Sequence, residues 1–112
     1  MKREFKDFKE VEQNYKKAFT KCNVTASKLY DLQENYTITE TKTEYHGRRI
    51  VSQETETITA WSLACVVSGC GFFRDRVTKS YTMAGYIVTR LSAKSPDGIT
   101  RVVREYKYTY NR

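Results

Sequence analysis

One histidine and three cysteines are the side chains in this 112-residue chain that most readily suggest reaction chemistry. His46 stands between Glu44 and the pair Arg48-Arg49, and a basic ribonuclease could use such a group, with histidine and glutamate moving protons and arginine holding phosphate. The four residues are adjacent along a turn signal, however, and adjacency on a hairpin tip does not build a cleft. A turn residue is the better reading of His46, and no catalytic residue is assigned. Cys22, Cys65 and Cys70 make an odd count, unlike the even framework of a disulfide-stapled secreted protein. Cys65 lies in the most apolar segment, where burial would raise a thiol's pKa and quiet it as a nucleophile. Cys65 and Cys70 find no further Cys or His pair to complete four ligands, so neither a metal nor a cofactor is expected.

What remains is basic residues interleaved with aromatic ones. The chain carries 20 Lys and Arg against 13 Asp and Glu, a formal charge of +7, and it has nine tyrosines. Arg48 and Arg49 form one group. Arg74, Arg76 and Lys79 follow Phe72-Phe73, and Tyr86, Arg90, Arg101, Arg104 and Lys107 lie toward the C-terminus among Tyr106, Tyr108 and Tyr110. Cations of this kind neutralise phosphates and aromatic rings stack on bases, so these ten positions, Arg48 to Lys107 with Tyr86, are the candidate surface for nucleic acid or for an acidic protein surface. Gly69-Cys70-Gly71-Phe72-Phe73 matches part of an RNA-recognition pattern, but the later strands have no second full helix between them, as that fold requires. No phosphate-loop or dinucleotide-binding fingerprint is present.

The elements that must position these residues read as an α+β fold over a single domain, 1–112. Phe5, Phe8, Val11, Tyr15, Ala18, Phe19 and Cys22 recur at three- and four-residue steps, which predicts an amphipathic helix over about 3–22 with lysines on its opposite face. A short second helix, capped by Thr25, turns Leu29 and Leu32 inward. From Tyr36 the pattern becomes β: threonine takes every second position to Thr43, and His46-Gly47 turns the chain into a second strand. This hairpin is polar and is expected to project beyond the core.

The second strand is expected to run on into Ala60–Val67, apolar on both faces, with a buried helix as the alternative reading. A long third strand is expected over Arg76–Ser92, and Ser95-Pro96-Asp97-Gly98 is a turn signal before a fourth strand, Ile99–Tyr110. A four-residue loop there would set Leu91 opposite Val102 and Ile87 opposite Tyr106, gathering Arg90, Glu105 and Lys107 on the outer face and turning the tyrosines inward. The expected architecture is therefore an N-terminal helix packed on a four- or five-stranded antiparallel meander sheet over about 36–110. At that level it is similar to the cystatin-like arrangement of a curved sheet around one helix, a likeness that implies no activity.

The first residues carry no apolar export signal, and the longest apolar stretch is too short to span a bilayer as a helix, so a cytoplasmic protein without a membrane partner is expected. Three functions fit. The first is a small non-catalytic module engaging nucleic acid or a nucleic-acid-containing complex, including a ribonucleoprotein. The second is a protein-binding inhibitor of a host defence complex, similar in size and composition to the anti-CRISPR proteins of phages and mobile elements. The third is the small ribonuclease or toxin considered above. The long threonine-rich strands could also pair edge to edge in a homodimer.

Overall fold

In the computed structural model the described residues are 7–68, 78–83 and 87–111, with 78–83 described for the backbone alone. The chain forms α1 (Phe8–Asn14), α2 (Lys16–Lys21), α3 (Ala26–Asn35), β1 (Tyr36–His46), β2 (Arg49–Ile58), α4 (Ala60–Val67), β3 (Thr78–Met83), β4 (Val88–Lys94) and β5 (Thr100–Tyr110). The five strands make one antiparallel sheet in the order β2-β1-β5-β4-β3. Two runs of hairpin-linked strands, β1-β2 and β3-β4-β5, are joined where β5 returns beside β1. This is the α+β class expected.

The N-terminal helix is interrupted. Asp7 caps α1 by accepting from the Glu10 amide at 2.9 Å, and Tyr15, with φ −130° and ψ 40°, separates α1 from α2. The apolar stripe survives the break, for Phe8, Val11 and Phe19 are all buried. The end of α2 is closed by Asn23 in the left-handed region, φ 55°. The Val24 amide reaches the Phe19 carbonyl at 2.9 Å and the Asn23 amide reaches Thr20 at 3.1 Å, the paired bonds of a Schellman cap. Thr25 then caps α3, its hydroxyl accepting from the Lys28 amide at 3.1 Å, and Leu29 and Leu32 turn inward as the periodicity requires.

Ala60–Val67 is a helix, which corrects the strand expected there. Its apolar residues extend around most of its circumference, a pattern that fits a buried strand and a buried helix alike. The local signal that decides is Thr59, whose hydroxyl accepts from the Ser62 amide at 3.0 Å as an N-cap. Leu63, Ala64 and Val67 then join the helical layer. The long strand expected over Arg76–Ser92 is likewise two strands: β3 and β4 pair with each other, Thr82 opposite Arg90 and Ser80 opposite Ser92.

The β4–β5 register differs by two residues from the one expected. Leu91 lies opposite Arg104, and Ala93 opposite Val102. The turn fixes this: the Ser95 amide bonds the Thr100 carbonyl at 2.8 Å, the Gly98 amide bonds Ser95 at 2.9 Å with Gly98 at φ +76°, and the loop occupies Pro96–Ile99. Because the shift is even, every side chain keeps the face it was expected to have. The helices cover the inner face, where Ile38, Leu91 and Tyr106 meet Phe8, Phe19, Leu29, Leu32 and Leu63 in one core. Tyr106 and Tyr108 turn inward, and the Tyr108 hydroxyl donates to the Val88 carbonyl at 2.7 Å. No helix among the described residues is long and apolar enough to cross a membrane.

Candidate nucleic-acid interface

The β1-β2 hairpin sorts its charges by face. Glu40, Lys42, Glu44, Glu54 and Glu56 occupy the inner side, while Thr37, Thr39, Thr41, Thr43 and Tyr45 of β1 and Gln53, Thr55 and Thr57 of β2 occupy the outer side. Pairing extends that outer side across the sheet. Thr39 faces Lys107, Tyr45 faces Arg101, Arg90 faces Glu105 and Lys94 faces Arg101. The outer face of β1, β2, β4 and β5 thus holds Arg90, Lys94, Arg101 and Lys107 with Glu105 as its one carboxylate among the described residues.

Three of the chain's cations converge at one end of this sheet. The β1-β2 turn is a two-residue loop, Gly47-Arg48, between paired His46 and Arg49. Gly47 has φ +63° whereas Arg48 is not in the left-handed region, the pattern of a hairpin turn with glycine at its first position. The Gly47 amide bonds the Ile99 carbonyl at 2.8 Å, tying this turn to the β4-β5 loop. Between the two lies a cavity of about 300 Å³ lined by Tyr45, Gly47, Arg48, Lys94, Gly98, Ile99 and Arg101. It has three cations and no carboxylate in its lining. The Arg101 guanidinium lies over the Tyr45 ring, 4.3 Å from its centroid, and the arginine's buried Nε makes no hydrogen bond. A planar cation held on a ring keeps its plane fixed and its outer N–H groups directed, which suits a phosphate oxygen.

The other arginine of β5 does something different. Arg104 is buried on the inner face, and its Nη1 donates to Glu40 at 3.3 and 3.4 Å; the Tyr106 hydroxyl donates to the same carboxylate at 2.8 Å. Glu40 lies directly opposite Glu56 across the hairpin, so Arg104 offsets a like-charge pair. Burial, reinforced by the Glu40 charge, holds the Tyr106 phenol well above its ordinary range. A second cavity of about 310 Å³ adjoins this group, lined by Glu40, Glu56, Ile58, Trp61, Ser62, Cys65, Val66 and Arg104. Its two carboxylates disfavour phosphate. The place of Arg104 in the candidate surface is therefore corrected: the two-residue face period of the strand turns it inward.

Of the remaining candidates, Arg48 and Arg49 are exposed at the turn, Arg90 is half-buried beside Glu105, and Lys107 is exposed on β5. Arg74, Arg76 and Tyr86 lie outside the described residues, and Lys79 falls on β3, where the backbone alone is described. Lys94 and Tyr45 were missed by the sequence reading. They enter through pairing, Lys94 and Tyr45 both opposite Arg101, a relation that only the correct register reveals.

The histidine group is not assembled around the basic cavity. His46 lies 3.2 Å from Glu44 at an exposed position, and neither lines the cavity. Cys22 is buried, and burial pushes its thiol up to about 12, while Cys65 is half-buried on α4. Among the described residues no group of three or more His, Cys, Asp and Glu side chains is placed to hold a metal ion.

Fold and site together define a small α+β protein with helices on one face of its sheet, a basic, threonine-rich opposite face and a cation-lined cavity at one end. The chain matches no protein-family model, no curated protein sequence and no solved structure.

Proposed function

We propose that this protein is a non-catalytic binding module that engages nucleic acid, alone or within a nucleoprotein complex, through its outer sheet face and the basic cavity at the sheet's end. The observation that carries this reading is the convergence of Arg48, Lys94 and Arg101 on one open cavity whose lining includes no carboxylate. Phosphate oxygens need multiple donors and an unopposed positive field, and this end of the sheet supplies both. Lys107 and Arg90 continue the field along the same face.

The outer strands present hydroxyls more than rings. Threonines can donate to phosphates and sugars but offer no stacking plane, and Tyr45 already carries Arg101. The surface is therefore built to hold a backbone rather than to read bases, and weak sequence preference is expected.

The test is fluorescence anisotropy of labelled single-stranded RNA and duplex DNA across a salt series, comparing the natural chain with the triple variant Arg48→Ala, Lys94→Ala, Arg101→Ala. Loss of three phosphate contacts lowers the log–log salt slope by roughly 2.1 to 2.7 and weakens binding of every sequence alike. Equal affinity and slope in the two proteins would place the site elsewhere; no binding by the natural chain at low salt would redirect the surface to an acidic protein partner.

A further inference from the structure

Lys94 and Arg101 lie directly opposite each other on the outer face, and like charges so placed destabilise a strand pair. The fold offsets another such pair, Glu40 opposite Glu56, with the Arg104 guanidinium. Among the described residues no carboxylate forms an ion pair with Lys94 or Arg101. The carboxylate of the intervening loop, Asp97, accepts from the Ser95 hydroxyl and the Ile99 amide and does not line the cavity. Arg48 adds a third cation from the other turn, held there by the bond of the Gly47 amide to the Ile99 carbonyl. Three cations are thus gathered at one point, and the packing of the chain gives no reason for it.

We infer that this cavity takes the terminal phosphate of a nucleic-acid strand, a monoester, in preference to an internal diester; the inference rests on the nucleic-acid reading above and narrows it. An internal phosphate carries a single charge and two unesterified oxygens. A terminal one carries about 1.5 to 2 negative charges near neutral pH and has a third free oxygen, so each of the three cations finds an oxygen. The repulsion between Lys94 and Arg101 is relieved most by the more highly charged group.

Position and size agree with a strand end. Lys94 with Arg101 is the last β4-β5 pair and His46 with Thr100 the last β1-β5 pair, so the cavity stands where the sheet stops. A backbone laid on the outer face from Lys107 toward Arg101 reaches its last cations there. The cavity's volume of about 300 Å³ is at the lower limit of small-ligand sites, roughly 300–1,000 Å³, room for a terminal nucleotide but not for a run of backbone. Ile99, exposed at the cavity, has no side-chain donor for a following phosphate, and its amide is already taken by Asp97.

The test is fluorescence anisotropy with one single-stranded RNA sequence, labelled on an internal base and phosphorylated at its first nucleotide, at its last, or at neither. At least one phosphorylated form should bind about tenfold more tightly than the unphosphorylated form. Lys94→Ala, at an exposed position, should bring that ratio close to one with unchanged circular dichroism. Lys107→Ala, six residues from Arg101 along β5 and roughly 20 Å away, should weaken every form and preserve the ratio. A nucleoside monophosphate should compete only at concentrations far above that of the phosphorylated strand, because it cannot reach Lys107. Equal binding of the three forms overturns the inference and leaves the nucleic-acid reading standing, whereas no binding of any form at low salt overturns both. A preference that survives Lys94→Ala also overturns it, by placing the terminal phosphate elsewhere. Competition by the nucleoside monophosphate as strong as by the strand would give the cavity to free nucleotides instead.

Discussion

Arg101 and Arg104 stand three residues apart on β5 and face opposite sides of the sheet, Arg101 over the Tyr45 ring and Arg104 against the Glu40 carboxylate. The same residue type thereby serves two ends. On the outer face the guanidinium borders an open cavity, and on the inner face it neutralises a carboxylate that the fold has taken out of water.

Arg104→Ala leaves Glu40 buried, opposite Glu56 and without its guanidinium. Removing one partner of a buried ion pair costs about 3–5 kcal/mol, far more than the pair's net contribution. The urea midpoint should fall accordingly. Nucleic-acid affinity, measured where the variant is still folded, should stay within a factor of about two. A large loss of affinity without loss of stability would reverse the roles given to the two arginines.

Arg101→Ala should show the opposite pattern. Its side chain is half-buried on the outer face, and its contact with Tyr45 contributes about 0.5–1 kcal/mol to stability. Affinity should drop more than stability, with the salt slope lower by roughly 0.7 to 0.9, one phosphate contact. Arg101→Lys restores the charge but neither the planar stacking nor the forked donors, so it should recover the slope and only part of the affinity.

The faces of the strands were legible in the sequence because they depend on a period of two, and the register was not because it depends on where a turn closes. Ser95-Pro96-Asp97-Gly98 announces a turn clearly. Whether the last pair is Lys94 with Ile99 or Ser95 with Thr100 depends on the Asp97 carboxylate, which accepts from the Ser95 hydroxyl and, at 2.9 Å, from the Ile99 amide. That two-residue difference left Tyr106 inside and Lys107 outside but hid the meeting of Lys94 with Arg101. The cation cavity was hidden for a related reason. Arg48 and Lys94 are far apart in sequence, and only the return of β5 beside β1 brings their loops together.

The Ala60–Val67 helix supplies a local prediction. Thr59→Ala removes the hydroxyl that accepts the Ser62 amide and should cost about 1 kcal/mol, read as a shift in the urea midpoint. Thr59→Asp should recover most of the loss, because aspartate caps as well and adds a favourable charge at the helix start. Were this segment a strand, the aspartate would bring no recovery.

The protonation of Cys22 gives a prediction in alkaline solution. Burial raises its thiol from 9.0 to about 12, with the nearby Lys21 charge opposing only in part. The folded chain therefore holds this proton where the unfolded chain releases it. Below about pH 9 both states are protonated and the group does not make stability depend on pH; above it, unfolding releases a proton, and stability falls by roughly 1.4 kcal/mol per pH unit until the folded thiol itself titrates. Tyr106 and Tyr108, also raised by burial, add to the fall as the pH approaches and passes the ordinary phenol range near 10. Between pH 9 and 10 Cys22 is the largest single contributor among these three groups. Urea unfolding of Cys22→Ala should start from a lower stability at pH 8, because a buried side chain is truncated, yet lose less between pH 9 and 10 than the natural chain. Parallel losses in the two proteins over that interval would show that some other group carries the alkaline dependence.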